Sequence, residues 1–227
     1  MPMERSPLAE RVPLIRMSAA LAARDDRRLR AAMNAAVAAG VADEAEEVLV
    51  QSYLFVGYPI ALSALAVWRE ESGLTAPLPR EGTWSEWLER GERVLAAVYG
   101  GEHQRLRVNV RALHPDLELW MVAEGYGKVL GREGLDLPWR ELAIVALLAV
   151  MDVPRQLYSH LRGALQVGAS ESAIEETLAL AMEMVSERER KESVQRVWEQ
   201  VRQRGPTSAS SAPTDTGAPK GDSGLVR

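Results

Sequence analysis

The chain has no cysteine among its 227 residues. Without thiols it can form no disulfide, no thiolate metal site and no thiol-based peroxidase centre. Histidine is scarce: His103, His114 and His160 include no close pair, so no metal site is expected. Strand-like alternation of β-branched residues is nearly absent, which leaves little from which to build a sheet. No uninterrupted apolar run approaches the roughly 20 residues of a membrane span; the most apolar stretch, Leu142 to Met151, is about half that length and suits a buried core helix. The first residues, MPMERSPLAERVPLIRM, carry charges and prolines where a secretory signal would be apolar. The net charge of −5 and pI near 5.4 lack the basic footprint of a nucleic-acid binder. The cluster Arg24, Arg27, Arg28 and Arg30 reads as a solvated helix face. These absences point away from membrane and nucleic-acid partners and toward a cytoplasmic protein.

What is present favours helix. Hydrophobic residues make up 47% of the chain, enough for a sizeable core, and Ala, Leu, Glu and Arg dominate. Helical character runs from Arg16 to Ala39, broken near Arg24–Asp25–Asp26 and closed by Gly40. Asp43 opens the next helix, with Glu44, Glu46 and Glu47 favouring the positive end of its dipole. It is interrupted at Gly57–Tyr58–Pro59 and followed by a helix from Ile60 to Glu70. Ser72 to Thr83 is a connector, Ser85 to Val98 a helix, and Gly100 to Val108 a loop. His114–Pro115 marks a break, Leu117 to Leu130 is helical, and Asp136 with Pro138 starts the apolar helix to Met151. Further helices run from Pro154 to Val167 and from Ser170 to near Val201. The expected fold is all-α.

The sequence repeats itself. Met33 to Val50, MNAAVAAGVADEAEEVLV, aligns without a gap with Leu161 to Leu178, LRGALQVGASESAIEETL. In each, a helix of small residues ends at glycine and an acidic helix start follows. We divide the chain into a repeat at 1–72, a connector with a helix at 73–108, a second repeat at 109–204 and a tail at 205–227. The tail is rich in Ser, Thr, Pro, Ala and Gly, and it is expected to be disordered.

Two stretches carry a family resemblance: PWRELAIVALLAVMDVPRQLYSHLRGALQVGASESAIEETL, Pro138 to Leu178, and DEAEEVLVQSYLFVGYPIALSAL, Asp43 to Leu65. Both resemble the carboxymuconolactone decarboxylases and their relatives, the AhpD-like alkylhydroperoxidases. The shared features are an Arg-Glu pair opening an apolar helix, His-Leu-Arg-Gly-Ala-Leu, and a Gly-aromatic-Pro break, here Gly57–Tyr58–Pro59. The resemblance covers most of residues 12 to 200. It implies two AhpD-like helical repeats in one compact unit, a homo-oligomer (trimer or hexamer) and chemistry without metal or organic cofactor. The peroxidase branch places its cysteines where Val153 and Gln156 stand, so that branch is disfavoured. Its proton-relay glutamate and histidine match Glu141 and His160. The decarboxylase branch often has an acidic residue one turn before the histidine, where this chain has Gln156.

Each candidate has a structural reading beside the functional one. Glu141 either complements the helix dipole and pairs with Arg140, or is a partly buried carboxylate that moves protons. His160 shares its helix face with Leu157, Ala164 and Val167. It is either a hydrogen-bonded core histidine or the acid/base partner of Glu141. Arg140 and Arg162 could hold a substrate carboxylate, or pair with glutamates. Gln156 and Tyr158 lie near His160 and are assigned to the pocket; Trp139 and Trp120 are read as core or interface anchors. In the first repeat, Ala32 stands for His160 and Pro13 for Glu141, so only the second repeat is expected to hold a site.

The leading expectation is a lyase of the decarboxylase type acting on a small carboxylated lactone or related acid. The alternative is a non-catalytic oligomeric binding or regulatory member of the same fold. The last residues, Gly221 to Arg227, resemble the C-terminal targeting peptides of encapsulin cargo. That resemblance implies docking of Leu225 and Val226 in a shell groove; otherwise the tail is an unconstrained end.

Overall fold

The computed structural model describes residues 8–204, and all of its regular elements are helical. The tail, with the Gly221 to Arg227 segment that resembles a shell-docking peptide, lies outside the described residues. In order, the helices are α1 (Val12–Ala23), α2 (Asp26–Ala38), α3 (Ala42–Ser72), α4 (Trp84–Tyr99), α5 (His103–Leu113), α6 (Pro115–Trp120), α7 (Leu137–Met151), α8 (Pro154–Gln166), α9 (Glu171–Met182) and α10 (Arg188–Arg204). A π-helical segment, Met121–Leu130, continues α6 without a break.

The sequence signals for breaks have clear physical counterparts. Arg24 is left-handed (φ 56°) and ends α1, after which the Asp25 carboxylate accepts the Arg28 amide and caps α2. His114 is extended and accepts the Asp116 amide at Nδ1, opening α6 at Pro115. Thr83 and Glu86 form a reciprocal capping box at the start of α4. α3 is kinked at Gly57 (φ 78°, ψ 166°), a conformation that glycine tolerates, and Pro59 cannot donate a helical hydrogen bond.

One expected loop is a helix. His103–Leu113 winds as α5 because Leu106 and Val110, one turn apart, bring apolar side chains to the same side. α3 also corrects the sequence estimate of apolar length. By length and composition alone, this 31-residue helix could cross a membrane. In the described residues it packs in the bundle through Ala45, Val48, Leu49, Ala61, Ala64 and Trp68, and it buries Glu47 and Gln51 among them.

The gapless repeat extends to backbone hydrogen bonds. The Val41 amide donates to the Ala36 carbonyl and Gly40 to Val37; 128 residues later Ala169 donates to Ala164 and Gly168 to Leu165. Left-handed Arg24 corresponds to left-handed Asp152. Thus α1, α2 and the first part of α3 match α7, α8 and α9. The kink at Gly57 aligns with the break before α10, so the second part of α3 matches α10. α1 packs along α7 at the centre, where every residue from Arg140 to Val150 is buried. Between the halves, α4 crosses the π segment at backbone contact. A Cβ on Gly91 would lie 2.0 Å from the Val122 oxygen, and one on Gly127 1.8 Å from the Trp87 oxygen.

Candidate functional site

Glu141 on α7 and His160 on α8 meet. The His160 Nδ1 lies 2.8 Å from Glu141 Oε2, and the two residues are 8% and 1% exposed. α7 and α8 are joined by the tight turn at Asp152, which folds them into an antiparallel pair and brings residues 19 apart to the same level. Glu141 does not pair with Arg140. The backbone at Gly163 allows the approach: a Cβ there would lie 3.0 Å from Glu141 Oε2 and 2.7 Å from the Val98 side chain. Gly163 is one turn past His160. The i+3 spacing was the available sequence signal for its role, and sequence reasoning gave it none.

The imidazole lines a cavity of roughly 510 Å³, within the range of small-molecule sites. Since Nδ1 is engaged by Glu141, Nε2 is the ring nitrogen left for a ligand. Apolar walls come from Leu54 and Phe55 of α3, Leu106 and Val110 of α5, and Leu117, Trp120 and Met121 around the start of the π segment. The Phe55 ring meets the imidazole edge-on, at 5.8 Å between centroids. Gln156 and Ser159 add polar groups from α8, and Glu124 and Tyr126 from the π segment. Wide π turns are frequent at functional sites, and here the segment supplies much of one wall.

Two tyrosines complete the polar side. The Tyr126 hydroxyl donates to the Tyr99 hydroxyl at 2.8 Å, with the rings T-shaped. Burial raises both phenols above their ordinary range; the Glu141 carboxylate adds to this for each, and the pair's own contact adds for Tyr126. Both stay neutral at physiological pH, and with the Tyr126 proton given to Tyr99 the Tyr99 O–H is the one left to donate. Tyr53 donates to Glu124 Oε1 at 2.9 Å, and its phenol too is raised, by burial first and then by Glu124.

The remaining assigned residues are dispersed. Gln156 lines the His160 cavity. Tyr158 turns to neighbouring grooves and accepts from Arg204 at 3.2 Å. Arg162 lines the groove beside Glu102 and Arg105 and is not in the His160 cavity. Arg140 is a correction. It is 1% exposed, and its guanidinium donates to Glu47 Oε2, Gln51 Oε1 and the carbonyls of Leu135 and Arg132. A cation enclosed this way binds the first half of the chain to the second and has no ligand to hold. The arginine that does line the cavity is Arg155, at the start of α8. Trp120, read as an anchor, is about half exposed at the cavity. Among the described residues no group of three or more metal-ligating side chains occurs.

The family model whose match includes this geometry is described as the carboxymuconolactone decarboxylase family and covers residues 115–193. That span contains the π segment, α7, α8 and α9, and with them Glu141, His160 and Gly163. The chain is also 30% identical over 148 residues to "Peroxisomal protein 2" of Schizosaccharomyces pombe, covering 62% of this chain and 68% of that relative. A protein of the same name from Saccharomyces cerevisiae is 30% identical over 96 residues, covering 42% of this chain and 34% of that relative. Matched to the family over residues 115–193, and with only helices among its described regular elements, the cysteine-free chain belongs to the carboxymuconolactone decarboxylase family.

Proposed function

We propose that the chain is a decarboxylase-type lyase acting on a small carboxylated lactone or related acid, with Glu141 and His160 handling the proton. The observation that carries this is the 2.8 Å contact between the buried Glu141 carboxylate and a His160 ring that faces a cavity of substrate size. Arg155 takes the role of carboxylate holder that sequence reasoning gave to Arg140 and Arg162. In the reaction the bond to the carboxylate carbon breaks and carbon dioxide leaves. The electron pair passes into the conjugated lactone as an enolate. The protonated imidazole then delivers its Nε2 proton to carbon, and Glu141 stabilises the imidazolium beforehand. The neutral Tyr99–Tyr126 pair offers hydrogen-bond donation to the enolate oxygen. The step uses only protein groups, and water returns a proton to the imidazole afterwards.

A second reading has a specific observation behind it. Gln156 lines the cavity where the decarboxylase pattern places an acid, which suits a binding module of the same fold that holds a carboxylate without turning it over. Carbon dioxide release from a panel of carboxylated lactones separates the two. The decarboxylase reading expects turnover that falls about 100-fold or more in His160→Ala and comparably in Glu141→Gln. Equal turnover in His160→Ala removes the role assigned to it, and ligand binding without turnover in the unaltered chain selects the binding module. The peroxisomal names of both relatives run against the cytoplasmic expectation; the proposed chemistry is the same in either compartment.

A further inference from the structure

A second cavity, of about 700 Å³, lies between α8 and α10. Arg155, Arg196 and Arg204 line it, together with Tyr158, Ser193 and Gln200, and no carboxylate side chain does. Arg155 and Arg196 are exposed and make no ion pair among the described residues, while Arg204 lies over the Tyr158 ring and donates to its hydroxyl. α8 has no acid in its first turn, so Arg155 adds positive charge to the positive end of a helix dipole. Three guanidinium groups gather around one groove with no carboxylate lining it, a local concentration of positive charge in a chain of net charge −5.

The repeat supplies an internal comparison. The corresponding contact in the first half lies between α2 and the second part of α3. There Arg30 is neutralised by Glu70 and Glu71, and Asn34 donates to Glu71 at 2.6 Å. The first half thus closes this contact with its own carboxylates. In the second half Tyr158 and Trp198 stand where Arg30 and Glu70 are, so that ion pair has no counterpart, and the α8–α10 groove is lined by Arg155, Arg196 and Arg204 with no carboxylate among them.

We propose that the α8–α10 groove binds the phosphate groups of a phosphorylated small molecule, a diphosphate ester in particular. Guanidinium forks match phosphate oxygens in pairs, and Ser193, Gln200 and the Tyr158 face supply neutral contacts beside them. Arg155 lines both this groove and the His160 cavity, so a molecule held here by its phosphates can extend its other end toward His160. The extension rests on the decarboxylase or binding-module reading of that cavity; the phosphate site does not.

Calorimetry on the full chain tests both parts, with inorganic pyrophosphate, ADP and a short-chain alkyl diphosphate as probes. Saturable binding of pyrophosphate or ADP is expected, weakening as salt rises toward about 150 mM. The double variant Arg196→Glu with Arg204→Gln should lose about tenfold or more in affinity, while Arg196→Lys, which keeps charge but not the fork, should fall between. His160→Ala should bind pyrophosphate as the unaltered chain does, so loss of turnover and loss of the phosphate site are read separately. Absence of saturable binding by all three probes, or equal affinity in a folded double variant, overturns the site. If the alkyl diphosphate binds no tighter than pyrophosphate, the link to the cavity is overturned. Binding of pyrophosphate with rejection of ADP assigns the site to free diphosphate in place of an ester.

Discussion

A missing methyl group sets the spacing of the Glu141–His160 pair. Their partnership was legible in sequence because both residue types stood in a recognised pattern. The role of Gly163 was hinted at only by its i+3 spacing from His160, because a glycine in a helix does not reveal which atom occupies its empty side. Gly163→Ala should push the new Cβ against Glu141 Oε2 and Val98, which sit 3.0 and 2.7 Å from that position. We expect a loss of about 1–3 kcal/mol in denaturant unfolding, with a shifted His160 ring resonance in NMR spectra. A variant with unaltered stability and an unaltered His160 signal would show that the carboxylate does not depend on this gap. Arg140 illustrates the opposite error. Its charge suggested a ligand, but whether an arginine faces a cavity or a buried glutamate depends on a partner 93 residues away, which local pattern does not reveal.

At the scale of elements, breaks were easier to read than windings. Arg24, Gly57 and His114 mark their interruptions through backbone chemistry carried by the residues themselves. α5 was missed because its apolar positions are few and its polar face is rich in arginine. Its wall of the cavity, Leu106 and Val110, becomes meaningful only once α6 and the π segment face it. The π winding was not legible either, since α and π helices use the same residue types. The crossing of α4 over that segment depends on Gly91 and Gly127, and it leads to a sharp expectation. Gly127→Ala places a Cβ 1.8 Å from the Trp87 carbonyl oxygen, and separating two backbones should cost about 3 kcal/mol or more. Thermal unfolding would register this as a clear fall in midpoint, whereas Gly101→Ala, with open space around it, should be far milder. Equal midpoints for the two variants would contradict the close crossing.

The whole molecule is two related halves joined through buried charge. Glu47 of the first half meets Arg140 and Arg132 of the second at 2.9 and 2.8 Å. Burial raises the Glu47 carboxyl, but hydrogen bonds from Arg132 and Arg140 outweigh it and the net shift is downward from the ordinary 4.5. A depressed carboxyl stabilises the fold above its unfolded value and loses that contribution as pH falls through the folded value. Glu47→Gln should therefore be less stable at neutral pH by roughly 3–5 kcal/mol, since it strands a buried arginine. The deficit should begin to shrink below about pH 4.5, where the unfolded carboxyl takes up its proton, and should be lost as pH falls through the lower folded value. Denaturant titrations at neutral and acid pH measure it; a deficit independent of pH would place the stabilisation in packing and not in charge. The likeness of the helix ends at Gly40 and Gly168, seen in their matching backbone hydrogen bonds, was legible from the aligned glycines. The ion cluster between the halves was not, because its members belong to neither repeat unit alone.

The π segment has a further consequence, one of phase. Adding or removing one residue in a helix rotates everything beyond it by about 100° around the axis. If Met121–Leu130 rewound as an ordinary α-helix, Glu124 and Tyr126 could not both keep their present bearing on the cavity. The same rotation would carry Gly127 out from beneath Trp87. The crossing with α4 therefore acts as an index pin: by admitting only a glycine at one angular position, it sets the bearing of the cavity's polar wall.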